Sequence, residues 1–399
     1  MADAVTGPAV DIAIVGGGVV GWSVAWWLTG HHGFDGSVAV FDPDPGGQSG
    51  ATGRSLGSLR QQFSTPENIL LSRFGLSFIR DLPRHLATEA DPAPDVQFRD
   101  GHYLFLATDA GADSLRANVE TQQATGAPVT GLMPDDLRAR FPWLNTNDIA
   151  YAAFGERDEG WLDPHALRLA FRRAALAQGV KAVPLAGTAL RRVGSAIAAI
   201  DLADGSRVTV GQVVNAAGPW AGAVAATAGV ALPVVPRRRT VFHVTAPEPP
   251  SDPILIVDPS GVYVRPEGNG YLTGSSPLDG EPDPDGGELE PTYSQFEERC
   301  WPALAHRSPR FEALRMQSAW AGYYDTNSFD HNAVLGPHPT IGNLFFANGF
   351  SGHGLQQAPA VGRALAEWLL TGRSTSLNLD CFAFERIAAG KPLIERGII

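Results

Sequence analysis

Asp11–Asp44 reads DIAIVGGGVVGWSVAWWLTGHHGFDGSVAVFDPD, and this stretch decides the fold. Ile12, Ala13, Ile14 and Val15 form the short apolar run that a parallel strand buried on both faces requires. Gly16, Gly18 and Gly21 follow as G-x-G-x-x-G. The stretch Trp22–Leu28 then reads as a helix, and a second apolar run, Val38–Phe41, ends in Asp42. This is a βαβ unit with a dinucleotide fingerprint. Gly16 makes the tight turn, Gly18 lets a pyrophosphate approach the backbone, and Gly21 lets helix and strand pack closely. The helix amino terminus offers free N–H groups and a partial positive charge to phosphates. Asp42 suits the adenosine ribose, and its charge disfavours a 2′-phosphate. The same glycines occur in turns of no function. Strand, helix and acid at the correct spacing select the dinucleotide reading.

Outward from this unit, DPDPGGQSGATGRSLGSLRQQFSTPEN is rich in Gly and Ser and cannot be regular structure throughout. Helical spacing recurs over 66–89, 111–126 and 134–141, and Asp163–Ala177 carries an N-cap aspartate followed by Pro164. HYLFLAT (102–108) reads as a strand, as do segments near 181–183, 188–193, 197–202 and 207–210. VVNAAGPWA (213–221) reads as a buried strand entering a small-residue turn. Alternating runs between 234 and 275 suggest an antiparallel sheet. The segment 279–290 holds six acids in twelve and reads as a solvated loop without function. Tyr293–Phe311 reads as helical with proline interruptions. Near the end, strand Leu344–Ala347 leads through Gly349, Gly352 and Gly354 into a helix expected from about Pro359 to Leu370. A strand, glycine turn and helix at both ends imply that the two ends build one cofactor domain.

The chain has 399 residues, 44% of them hydrophobic, as in an ordinary globular protein of two or three domains. A net charge of −12 argues against nucleic acid or an anionic membrane surface as partner, and the basic run Arg237–Arg239 is too short to reverse that. The two cysteines, Cys300 and Cys381, make no disulfide framework and no thiol metal site, and no metal constellation is evident. The first ten residues lack the basic start and apolar core of a signal peptide. No apolar run approaches the ~20 residues that span a bilayer. A cytoplasmic protein is expected.

The separated elements GGGVVG, SGATGRSLGSLR, VVNAAGPWAG and NGFSGHGLQQAPAVGRALAE together resemble the FAD-dependent D-amino-acid oxidase superfamily, in its sarcosine oxidase and dimethylglycine dehydrogenase branch. RQQFSTPEN and WAGYYDTNSFDHNAVLGPHP narrow the likeness to FAD-dependent oxidoreductase-domain proteins. The resemblance implies a mixed α/β fold: a Rossmann-like FAD-binding domain from 1–90, 155–228 and 331–399, and a substrate domain with a mixed or antiparallel sheet from 91–154 and 229–330. It implies that Gly16, Gly18, Val19, Val20, Gly21 and Asp42 hold the ADP half, with Leu190 at the adenine. Ala216, Ala217, Gly218 and Trp220 would lie along the pyrophosphate, and Ser49, Ala51, Thr52, Gly53 and Arg54 near the flavin. Phe350, Gly352, His353, Gly354, Leu355 and Gln356 would reach the pyrimidine end, where N–H groups opening a helix stabilise the anion of reduced flavin. His353 is either a further donor or a satisfied structural histidine.

Two departures stand out. The cysteine that bonds covalently to flavin in sarcosine oxidase-like enzymes falls at Gly322 or Tyr323, so noncovalent FAD is expected. The lysine associated with oxygen activation falls at Leu272, which favours a dehydrogenase over an oxidase, with a quinone, an electron-transfer protein or O2 as acceptor. The resemblance further implies hydride transfer to flavin N5 from a secondary or tertiary amine bearing a carboxylate, giving an imine. Arg60 would pair with that carboxylate, because a guanidinium makes two charge-assisted bonds to it. Gln356 stands at the family's second carboxylate-binding position, and Tyr324, Tyr263 and Arg265 are cavity candidates. Three alternatives stay open: a catalytically weak FAD-binding scaffold, an oxidase of a D-amino acid or glycine derivative, and a nicotinamide-dependent dehydrogenase sharing only the first motif.

Overall fold

Two sheets organise the chain in the computed structural model, which describes residues 10–248, 250–277 and 280–396. The amino-terminal nine residues, read for a leader, and Asp279 of the acidic segment lie outside the described residues. In the first sheet Val10–Val15 sits at the centre, parallel to Val38–Phe41 on one side and to Arg207–Asn215 on the other. Leu344–Asn348 adds parallel to Arg207–Asn215, and Val334–Pro337 closes that edge antiparallel. Lys181–Val183 extends the other edge. The two ends of the chain therefore share one sheet, as their matching glycine turns imply.

Strand alternation explains why the central run is apolar throughout. Ile12, Ile14, Val38 and Val40 point into a core with helices Val19–Trp26, Pro66–Arg80, Pro164–Ala177 and Gly354–Thr371. Ala13, Val15, Ala39 and Phe41 point to the other face, against the hairpin Gly187–Val193 and Ala196–Leu202 and the helix Ala221–Ala226. Gly21 packs where expected: a Cβ there would stand 2.0 Å from the Gly16 carbonyl oxygen. Asp163 is the N-cap of Pro164–Ala177, accepting from the N–H groups of His165 (2.8 Å) and Ala166 (3.0 Å). Asp163→Ala is expected to cost about 1 kcal/mol, read as a lowered denaturation midpoint at unchanged slope; an unmoved midpoint would refute the cap's contribution.

The second sheet runs in the order Arg315–Asn327, Val234–Thr245, Gly270–Ser275, Val262–Glu267, Ile254–Val257, Arg99–Ala107, Tyr151–Gly155, Val129–Leu132. All neighbours are antiparallel except Ile254–Val257 with Arg99–Ala107, so the sheet is mixed. The short strands Ser58–Leu59 and Glu159–Trp161 pair with each other, and the latter with Arg99–Gly101. One face of this sheet packs on helix Trp301–Arg307. The other carries Tyr103, Phe105 and Tyr263 with Phe63.

Several boundaries differ from expectation. The segments near 207–210 and 213–221 form one strand, Arg207–Asn215, whose first half pairs with a hairpin and whose second half enters the central sheet. The last long helix begins at Gly354, five residues before Pro359, which it carries inside. Its first turn is pinned by side-chain bonds from Gln356 and Gln357, and this packing overrides proline as a start signal. The long strand Arg315–Asn327 lacks a clear alternation, because its residues line a cavity on one side and a charged strap on the other.

Candidate active site

Between the two sheets lies a cavity of about 320 Å³, running from the first glycine turn to the start of the last helix. Both glycine turns are built for close approach. Gly16 has φ +110°, and a Cβ there would stand 2.2 Å from the Ala216 carbonyl oxygen. Gly352 has φ +98°, and a Cβ would stand 2.6 Å from the Tyr324 ring. Ser351, between positive-φ glycines at 349 and 352, itself has φ 52°, and its hydroxyl accepts from the Asn327 N–H at 3.0 Å. Asp325 clamps this turn: its Oδ2 accepts from the N–H groups of Gly349 (2.9 Å) and Phe350 (3.0 Å). Burial pushes Asp325 up to about 6 against the pull of those N–H groups. Two helix amino termini, at Val19 and Gly354, open on the cavity.

At the first turn, Gly16, Gly18, Val19, Val20 and Asp42 line the cavity. Asp42 accepts from Gly17 N–H at 2.7 Å and Asp44 N–H at 2.8 Å, and burial raises its pKa while those bonds and Arg168 lower it. Thr52 reaches across to accept from Val19 N–H at 3.2 Å. Ser49, Ala51 and Arg54 line the next stretch, the Arg54 side chain donating to the Gln48 and Ala321 carbonyls. Ala216, Ala217, Gly218 and Trp220 follow, and Phe350, Gly352, His353, Gly354, Leu355 and Gln356 close the far end. A long, bent cavity with backbone-exposing turns and helix amino termini fits an extended dinucleotide cofactor.

Four expected contacts fall elsewhere. Leu190 is buried beside Ile197 and Ile200, its N–H donating to Thr227 Oγ1, and Ala186 and Gly187 line the cavity instead. Gly53 packs under the Gly47 carbonyl, where a Cβ would stand 2.2 Å away, and Gly21 supports Gly16 from behind. Arg265 is buried outside the cavity, paired with Glu267 and donating to the Leu56 carbonyl at 2.8 Å. Its strand partner Leu272 is likewise off the cavity, and on that strand Gly274 lies beneath the Tyr263 hydroxyl.

Arg60 lies on the wall, 5% exposed, between the rings of Phe63 and Phe105. Its backbone N–H donates to Gln356 Oε1 at 2.7 Å, and its Nη2 meets His353 Nε2 at 3.1 Å. A guanidinium has only donors, so that nitrogen accepts and His353 is neutral with its proton on Nδ1. Burial and then Arg60 hold the His353 pKa well below the ordinary value. Gln356 thus spends its amide oxygen on the backbone that carries Arg60. Tyr103, Tyr263 and Tyr324 surround the same space; burial pushes Tyr103 up to about 12 and raises the other two.

Several residues of the site escaped the sequence reading. Arg168, 1% exposed, donates from Nε to the Gly17 carbonyl at 2.7 Å and from Nη2 to the Asp44 carbonyl at 3.2 Å, tying the two turns of the βαβ unit together. Its signal was an arginine at i+1 from Leu167 on the apolar side of a helix. Glu159 is fully buried behind Arg60, accepting from the N–H groups of Gln61 and Tyr103, both at 2.9 Å. Arg239, dismissed with a short basic run, lines the cavity, as do Tyr103 and Asp325. The acidic segment is tied to the neighbouring strands. Asp283 and Asp285 pair with Arg237, Asp283 also holds Arg239, and Tyr323 donates to the Gly287 carbonyl at 3.0 Å.

The sequence matches the FAD dependent oxidoreductase family over residues 11–368. It is 43% identical over 423 residues to FAD-dependent oxidoreductase domain-containing protein 1 of Xenopus laevis, covering 98% of this chain and 85% of that protein. Human mitochondrial sarcosine dehydrogenase is 26% identical over 290 residues, which cover 68% of this chain and 30% of the relative. In fold the chain is similar to the crystal structure of L-proline dehydrogenase from P. horikoshii, with a TM-score of 0.81 at 24% identity over 97% of this chain and 100% of the other. The structure of glycine oxidase from Geobacillus kaustophilus gives a TM-score of 0.79 at 24% identity, covering 94% and 98%. Among the described residues no helix is long and apolar enough to cross a membrane.

Proposed function

The chain belongs to the FAD-dependent oxidoreductase family, and from that premise we propose that it oxidises the carbon–nitrogen bond of a secondary or tertiary amine carrying a carboxylate, to an imine. Bound FAD supplies the two-electron acceptor. The chain's own residues supply position and charge. The reading rests on Arg60: a buried guanidinium on the cavity wall, oriented by Gln356 at its backbone and by neutral His353 at one Nη. It takes the substrate carboxylate, and its positive charge disfavours protonation of the neighbouring amine, keeping the nitrogen lone pair available. Tyr324, Tyr263 and Tyr103 enclose the amine and exclude water.

For the cofactor, the first glycine turn with Asp42 would hold the ADP half and Ala216–Gly218 with Trp220 the pyrophosphate. The Ser49–Arg54 loop and the turn from Phe350 to Leu355 would hold the flavin. The FAD-holding part is drawn as 1–90, 155–228 and 331–399, with the substrate part from 91–154 and 229–330; strands Ser58–Leu59 and Glu159–Trp161 reach across to the substrate sheet. Neither Cys300 nor Cys381 lines the cavity, which supports noncovalent FAD. Acid precipitation is expected to leave the yellow colour in the supernatant; flavin retained in the pellet through denaturing electrophoresis would overturn this.

We favour a dehydrogenase. Among the described residues no lysine lines the cavity, and Arg54, in the loop proposed to lie near the flavin, spends its guanidinium on the Gln48 and Ala321 carbonyls. Mixing reduced protein with aerated buffer should give slow reoxidation; rapid reoxidation with stoichiometric peroxide would mean an oxidase. The central test is anaerobic bleaching of the flavin by N-methyl, cyclic and N-carboxymethyl amino acids, against the same amines lacking the carboxylate. Bleaching indifferent to the carboxylate would sink the assignment.

A further inference from the structure

Arg239 also lines the cavity, and its surroundings differ from those of Arg60. It lies on strand Val234–Thr245, opposite Gly322 of Arg315–Asn327, and stacks over the Tyr324 ring at 5.2 Å. Tyr324 stands in the field of both cations: burial raises its phenol, while Arg239 and then Arg60 lower it. The Arg239 Nη1 donates to the Arg238 carbonyl at 3.0 Å and to Asp283 Oδ1 at 2.5 Å. Its Nε is buried without a hydrogen-bond partner among the described residues. A guanidinium presents Nε–H and one Nη–H as a parallel pair matched to a carboxylate, and a buried donor without an acceptor marks a missing partner.

The anion now at Arg239 is borrowed from the acidic strap. Asp283 is anchored beside it by Arg237, and the strap is otherwise held by Arg238 Nη1 on the Glu288 carbonyl (3.0 Å) and Tyr323 on the Gly287 carbonyl (3.0 Å). Its ion pairs stay partly open to solvent, which screens and weakens them. Such an internal anion neutralises the cation cheaply and yields to a better-placed carboxylate.

We propose that Arg239 forms a second anion subsite, so that the preferred substrate is an amine bearing two carboxylates, one on Arg60 and one on Arg239, with Asp283 giving way to the second. This rests on the carboxylate role of Arg60 proposed above. Tyr324, between the two cations, would lie along the connecting amine.

The test uses the FAD-loaded protein and thioethers, in which sulfur replaces the nitrogen and no carbon–nitrogen bond can be oxidised. Calorimetric titration compares (methylthio)acetate with diacids carrying a second carboxylate one to three methylenes beyond the sulfur. The best diacid is expected to bind at least tenfold more tightly than the monoacid. Arg239→Gln should collapse that ratio to near one, and Asp283→Asn should widen it several-fold by removing the internal competitor. A diacid no tighter than the monoacid in the unmodified protein overturns the subsite while leaving the Arg60 reading intact, as does a ratio that survives Arg239→Gln. Failure of both acids to bind overturns the Arg60 reading and the subsite with it. Far-ultraviolet circular dichroism and flavin content of each variant identify misfolding, and then Arg239→Lys, which keeps the charge and loses the planar pair, must give an intermediate ratio or the subsite is rejected.

Discussion

Arg60→Ala is expected to keep its flavin and lose its hold on carboxylate-bearing amines. Removing one member of a buried charged pair costs roughly 2–5 kcal/mol, so half-saturation of anaerobic flavin reduction should rise well over tenfold. The geometry explains why the cofactor should stay. Arg60 touches the first turn of the last long helix through its backbone N–H on Gln356, and an alanine keeps that bond. The side chain meets His353, Phe63 and Phe105, and its loss leaves His353 neutral, since burial alone lowers that pKa first. Arg60→Lys separates charge from shape: it should recover part of the affinity, because an ammonium attracts the carboxylate but cannot present two parallel N–H groups. Flavin absorbance relative to protein absorbance gives the control. If alanine at this position strips the flavin, Arg60 holds the cofactor or the fold and the substrate assignment fails.

The turns proposed to hold the cofactor were legible in the sequence because what they need is set by backbone. Gly16 and Gly352 are required by φ and by steric contact, and such requirements leave a glycine spacing that any reader can see. Asp42 follows from the length of one βαβ unit. The nicotinamide alternative fell because three further glycine-rich turns meet the same cavity, and the family match covers them all. The substrate side was less legible because its residues come from distant strands whose register a single sequence does not state. Arg265 and Arg239 look alike in a strand, yet pairing places the first against Leu272 with Glu267 as partner and the second against Gly322 on the cavity. Leu190 lies off the cavity for a related reason. Its strand does approach the cavity, but Gly187 meets it and Leu190 packs in the core. Glu159 was invisible altogether, since nothing in EGW announces a carboxyl with no exposure to solvent.

Glu159 should make the protein less stable as pH rises through the weakly acidic range. Its Oε1 accepts from Gln61 N–H and its Oε2 from Tyr103 N–H, both at 2.9 Å, and Gln62 Nε2 lies 3.2 Å from Oε2. Those bonds and Arg60 favour the ion, but burial outweighs them and pushes Glu159 up to about 7 from 4.5. Between these two values the native state holds a proton that the unfolded chain has released. Stability from this group is then complete below about pH 4.5, falls as pH rises, and levels off above about pH 7, a loss of about 3 kcal/mol at 1.36 kcal/mol per unit. Asp325, raised to about 6 by burial, slopes the same way, so the measurement must be a difference. Chemical denaturation of the FAD-loaded protein from pH 4.5 to 8 should give a stability gap between the unmodified chain and Glu159→Gln that changes by about 3 kcal/mol across that interval. A gap independent of pH would show that folding does not raise the Glu159 pKa. On the proposed function the same proton should bear on substrate binding, because Gln61 and Gln62 follow Arg60 in the chain and Tyr103 lines the cavity. A carboxyl that joins those two segments sets the spacing between the guanidinium and the phenol, and its titration should move affinity for a carboxylate ligand over the same pH range in which it moves stability.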